Sequence, residues 1–66
     1  MQVLLNDIAT EIPDGATIGR ILYRRGLSGQ RLAVEVNEEL VPRGRFSAHL
    51  LAPTHRVEVI PAVGGG

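Results

Sequence analysis

No cysteine occurs anywhere in this chain of 66 residues, and that absence restricts how it can fold more than any motif does. A domain so short buries only about 60% of the surface that its unfolded chain exposes. Many domains of this size add disulfides or a bound metal. A disulfide and a thiolate metal site are both ruled out here. Stability must come from one small apolar core built from a few short elements, and the length leaves room for one domain.

The apolar residues show which elements those are. Met1, Val3 and Leu5 alternate over Met1–Leu5 and predict a first strand. Asn6-Asp7 is a two-residue turn candidate, since both residues tolerate positive φ. Ile8, Thr10 and Ile12 alternate in a returning strand, which completes an N-terminal hairpin. Pro13-Asp14-Gly15 punctuates the chain. Thr17 then stands as N-cap of a short amphipathic helix over 18–25, with Ile18, Ile21 and Leu22 on one face. Gly19 and Arg20 weaken that helix: glycine costs about 1 kcal/mol in a helix interior, and a cation near the N-terminus opposes the dipole. Gly26 is the natural stop, with Leu27 supplying the apolar contact that accompanies it.

Leu32-Ala-Val-Glu-Val36 predicts a strand with Leu32, Val34 and Val36 on one face. Asn37-Glu38-Glu39 turns the chain into Leu40-Val41. Residues 42–55 read as irregular, with one short helical turn over Ala48–Leu51 capped by Ser47. The last strand runs Arg56–Val63, with Val57 and Val59 inward and Glu58 outward. This order predicts an α+β fold: one short helix packed on a small mixed sheet of four to five strands. The expected division is a domain over 1–63 and a flexible glycine tail over 64–66.

Composition excludes several functions. The formal net charge is zero, against the basic excess expected of a nucleic-acid binder or an anionic-membrane binder. The chain lacks both the basic-then-apolar start of a secretion signal and the roughly 20 apolar residues of a membrane span. A cytoplasmic protein without nucleic-acid or membrane partners is expected. All seven basic residues are arginine; codon usage accounts for this, and a chain without lysine also cannot be conjugated to its own copies through side-chain amines.

Side-chain chemistry is sparse. His49 and His55 are the only histidines, and a zinc site needs more ligands than these. Ser28 and Ser47 lack a nucleophile-elbow context. Glu38-Glu39 are neighbours on a turn and face water. The glycines precede no helix that could hold a phosphate, and Tyr23-Arg24-Arg25 offers little stacking surface for nucleic acid. What remains is Gly64-Gly65-Gly66 directly after an apolar strand. Glycine is the costliest residue to order and packs nothing. The tail alone fits a frayed terminus as well as a thin stalk that delivers the Gly66 carboxylate into a narrow slot.

The whole chain resembles the ubiquitin-like β-grasp sulfur carriers, above all those of thiamine biosynthesis. The resemblance rests on Val3-Leu-Leu-Asn6, Ile12-Pro-Asp-Gly-Ala-Thr-Ile18, Leu32-Ala-Val-Glu-Val-Asn37, Val41-Pro-Arg43, Arg56-Val-Glu-Val-Ile60 and Ala62-Val-Gly-Gly-Gly66. It departs from the usual pattern at Asp7 and Glu38, where such carriers often have glycine after asparagine. Pro53-Thr-His55 also replaces an Asp-Gly-Asp turn. These departures leave the turn types open.

The resemblance implies a carrier that is not itself an enzyme and binds no cofactor or metal. A ubiquitin-activating-type adenylyltransferase would adenylate the Gly66 carboxylate, using ATP and magnesium. A persulfide-bearing sulfur-donor protein would turn the adenylate into a thiocarboxylate, and a thiazole synthase would accept the sulfur. Gly64 and Gly65 would thread the partner's channel. The four residues 63–66 reach at most about 13–14 Å when extended. Such a thiocarboxylate needs no cysteine, which this chain lacks. Ala33, Ile60 and Ala62 point away from the inward valines and are the expected docking patch, unless loop 42–55 covers them. The alternatives are a sulfur carrier for molybdopterin, tRNA thiolation or cysteine synthesis, a ubiquitin-like modifier, or a small nucleic-acid-binding module with an inert tail.

Overall fold

The computed structural model describes residues 1–62. Five strands and one α-helix follow in the order β1 (Gln2–Leu5), β2 (Ile8–Glu11), α1 (Ile18–Arg24), β3 (Leu32–Val36), β4 (Glu39–Val41), a 3₁₀ turn (Arg43–Arg45) and β5 (Arg56–Pro61). The strands form one sheet in the order β2-β1-β5-β3-β4. β1 and β5 run parallel, and every other pair is antiparallel. The last strand in sequence is thus the middle strand in space.

Two hairpins supply the outer pairs, each closed by a two-residue turn. Asn6 and Asp7 have φ of 48° and 66°, and Asn37 and Glu38 have φ of 51° and 70°. Paired positive φ is what the tight turns matching strand twist require. The departures from glycine at Asp7 and Glu38 therefore leave the turn conformation unchanged. Thr54 also takes a glycine-like φ of 68°, in the turn that replaces Asp-Gly-Asp. A β-branched residue there is strained.

Helix α1 covers one face of the sheet. Its N-terminal N–H groups are well satisfied: Thr17 Oγ1 accepts from Arg20 N–H at 3.2 Å. The Phe46 and His49 carbonyls accept from Gly19 N–H at 2.8 Å and Ile18 N–H at 3.1 Å. A Cβ at Gly19 would stand 3.4 Å from the Phe46 carbonyl oxygen and the Ser47 Cα, so this glycine admits the loop backbone against the helix. The helix closes with Leu27 N–H on the Leu22 carbonyl (2.8 Å) and Gly26 N–H on the Tyr23 carbonyl (3.1 Å). With Gly26 at φ 71°, this is the paired C-terminal motif expected from Gly26-Leu27.

The core lies between helix and sheet. Val3, Leu5, Val34, Val36, Val41, Val57 and Val59 pack against Ile18, Ile21 and Leu22. Two further core residues, Phe46 and Leu51, come from the segment read as irregular. The expected Ser47-capped turn over 48–51 does not form. The turn begins earlier, because Ala48 N–H and His49 N–H both donate to the Arg45 carbonyl. The carbonyls of Phe46 and His49 meanwhile serve helix α1. Leu50 instead makes an isolated bridge to Thr17. The mixed five-stranded sheet grasping one helix is the β-grasp arrangement.

Candidate functional site at the end of the last strand

β5 carries the chain toward the glycines, and its two edges are held differently. On one side its even-numbered residues meet β3. Ile60 lies opposite Ala33 and Glu58 opposite Glu35; the Ala62 N–H then donates to the Arg31 carbonyl at 3.0 Å. On the other side its odd-numbered residues meet β1. Leu4 N–H donates to the His55 carbonyl and Asn6 N–H to the Val57 carbonyl, both at 2.9 Å.

β1 turns away after Asn6, yet Val59 is not left unpaired. Asn6 Oδ1 accepts from Val59 N–H at 2.8 Å, and Asn6 Nδ2 donates to the Val59 carbonyl at 3.3 Å. One side-chain amide stands in for a missing peptide unit. The next odd-numbered residue is Pro61, which has no N–H to leave unsatisfied. Asn37 performs a related service at the strand's start, with Oδ1 accepting from Arg56 N–H at 2.9 Å.

The expected docking residues occupy the sheet face that the helix does not cover. Ala33 and Ile60 are direct cross-strand partners; Ile60 is 43% exposed and Ala62 is exposed. Loop 42–55 does not cover them, since Phe46 and Leu51 draw it into the core on the helix side. Leu4 and Leu40 also expose apolar surface. Leu40 pairs with Glu35 and Leu4 with Arg56, so both share this open face. Sequence reasoning missed these two; the alternation of their strands would have assigned them.

The same face sets the carboxylates of Glu35 and Glu58 directly opposite each other, an arrangement that weakens a sheet. Arg56 pairs with Asp7 at 3.4 Å, an exposed contact of small worth. The expected tail residues Gly64, Gly65 and Gly66 lie outside the described residues, as does Val63.

His49 and His55 line one groove together with Arg45, Asn37 and Glu39. His55 Nδ1 accepts from the Ala52 N–H at 3.2 Å. No group of three or more His, Asp or Glu among the described residues could hold a metal ion. No helix among them is long and apolar enough to cross a membrane.

A family model described as the ThiS family matches residues 3–66. The chain belongs to the ThiS family. Among curated ThiS-related proteins, the sulfur carrier protein ThiS of Escherichia coli K12 is 26% identical over 66 residues, covering all of both chains. A thiazole synthase of Magnetococcus marinus is 32% identical over the whole of this chain, which spans 20% of that protein's length. The crystal structure of the thiamine biosynthesis protein ThiS from Geobacter metallireducens matches all of both chains with a TM-score of 0.85 at 22% identity. That likeness bears on the ThiS fold alone.

Proposed function

We infer that this chain is a sulfur carrier for thiamine thiazole formation, loaded at the carboxylate of Gly66. Membership of the ThiS family is the observation that carries the reading. A carboxylate is ionised at neutral pH and resists nucleophiles. A ubiquitin-activating-type adenylyltransferase would join it to AMP from magnesium-bound ATP, releasing pyrophosphate. The terminal sulfur of a donor protein's persulfide would then displace AMP. Cleavage of the resulting acyl disulfide by a thiol would leave the thiocarboxylate. In this scheme the chain is a co-substrate that catalyses nothing. A thiazole synthase is the natural recipient, since a protein of that name contains a stretch resembling this whole chain.

Each part of the chain has a role in this reading. The domain 1–63 holds the stalk, and residues 64–66 enter the partner. Gly64 and Gly65 keep the stalk thin. Ala33, Ile60 and Ala62 give the partner an apolar landing surface beside it, of the kind that marks interaction sites. Thiamine biosynthesis takes precedence over molybdopterin, tRNA thiolation or cysteine synthesis because the family match is to ThiS.

The test is direct. Incubation with the adenylyltransferase, ATP, magnesium and a persulfide donor should add about 16 Da, the exchange of one oxygen for sulfur, as read by intact-mass spectrometry. Gly65→Val should keep the fold, because the described core is built from residues no later in the chain than Val59, and should block that mass gain. Normal thiocarboxylate formation by Gly65→Val would remove the narrow-channel argument. Lysate conjugates in place of the mass gain would favour a protein modifier.

A further inference from the structure

The root of the tail hangs on a relay of contacts that starts far from it in sequence. Arg43, the first residue of the 3₁₀ turn, donates through Nη2 to the Gln30 carbonyl at 2.6 Å. The next residue, Arg31, offers its own carbonyl to the Ala62 N–H at 3.0 Å. On the opposite edge of β5 the pairing has already ended at Val59 with Asn6, and Pro61 donates nothing. Among the described residues, the Arg31 carbonyl is therefore the last backbone acceptor along this strand.

That acceptor sits on a segment with little of its own to fix it. Residues 28–31 are exposed, and Gly29 has φ 79°. The other bonds of Gln30 stay local: its N–H donates to the Leu27 carbonyl at 3.2 Å and its Nε2 to the Gly26 carbonyl at 3.4 Å. Both tie the loop to its own helix end. Arg43 reaches it from a different element. A guanidinium on a carbonyl makes a charge-assisted bond, stronger than the neutral bonds around it. Segments with few buried contacts and exposed hydrogen bonds are the ones that open locally, so this one bond has large influence over the Gln30–Arg31 peptide.

We propose that Arg43 is a positioning residue for tail delivery: by holding the Gln30 carbonyl it fixes the adjoining Arg31 carbonyl against the end of β5, and so where the chain leaves the sheet. The proposal rests on the carrier reading above. A fixed root lowers the ordering cost when the tail enters a partner. It has no effect on the carboxylate once that group is seated.

Two variants test it, Arg43→Ala and Arg43→Lys, each followed by two measurements. Hydrogen exchange of the Ala62 amide, by NMR, should quicken about ten-fold in Arg43→Ala, the factor at the low end for losing one hydrogen bond to a charged group. The amides of Val34 and Val57 should keep their protection, and Arg43→Lys should recover part of the loss. In adenylation with the adenylyltransferase and ATP, the KM for the carrier should rise several-fold at unchanged kcat.

Unchanged Ala62 exchange in Arg43→Ala would overturn the proposal. A uniform loss of protection across the core would do so too, by making Arg43 a general stabiliser. A fall in kcat at constant KM would likewise refute the positioning role. If the parent chain is not adenylated at all, the carrier reading fails, while the exchange result still decides whether Arg43 holds the root.

Discussion

Asn6 shows how much one side chain can do in a domain with so little core. Its backbone takes the positive φ that opens the first hairpin turn, and its amide completes the pairing of Val59 on the neighbouring strand. These two roles can be separated. Asn6→Gly retains the backbone freedom and loses the amide. Leaving a half-buried N–H and carbonyl without partners costs about 1–3 kcal/mol. The urea midpoint should therefore fall with unchanged slope, and the Val59 amide should exchange faster. An unaltered midpoint would mean that water replaces the amide without loss. The turn role is legible in the sequence, because Asn-Asp between two alternating runs has a local explanation. The bond to Val59 is not, since it joins residues 53 apart that only the parallel β1–β5 pairing brings together. The same holds for Gly19, which reads as a weakness in a helix until the Phe46–Ser47 backbone is found against it.

At the scale of elements, the strands and helix follow from period and punctuation, and their observed bounds lie within a residue or two of the reading. Helix α1 ends at Arg24 with Arg25 as its cap, and β5 ends at Pro61. The failure lies between Pro42 and His55. Phe46 and Leu51 enter the core there without any regular spacing to announce them, because a 3₁₀ turn and an isolated bridge have no long period. Half of the candidate site was equally legible. Alternation along β5 and β3 sends Ile60 and Ala33 to one face, and the register makes them direct partners. The open face was legible only as a possibility until the loop was seen to pack on the other side. Ile60→Asp tests that face. With the residue 43% exposed, circular dichroism should show an intact fold, while on the proposed carrier function affinity for an adenylyltransferase or a thiazole synthase should fall about ten-fold or more, as for loss of a central apolar contact. An unfolded variant would make Ile60 a core residue.

The whole molecule has a pH dependence written into its first residue. The Met1 ammonium meets Glu11 and Asp14, each at 3.0 Å, and donates to the Ile12 carbonyl at 2.8 Å. Hydrogen bonds to Glu11 and then Asp14 raise its pKa above the ordinary 8.0. A raised folded-state value means that the charged form is favoured by folding. The stabilisation is complete below about pH 8 and is lost as pH climbs through the raised value. For the 66-residue chain beginning at Met1, the denaturation midpoint should decline from pH 8 upward. Glu11→Gln with Asp14→Asn should flatten that decline; an equal decline in the double variant would assign it to other groups.

The middle position of β5 also bears on how the protein is made. Within the sheet, β1 and β3 share no neighbouring strand until residues 56–61 arrive between them. A chain still on the ribosome holds two separate hairpins and a helix with only part of its sheet to cover. Pairings across such sequence distances form late. The strand that joins the hairpins is also the one that bears the tail. A chain that stops short of residue 56 lacks the strand that closes the sheet, so the two hairpins are left without their joint.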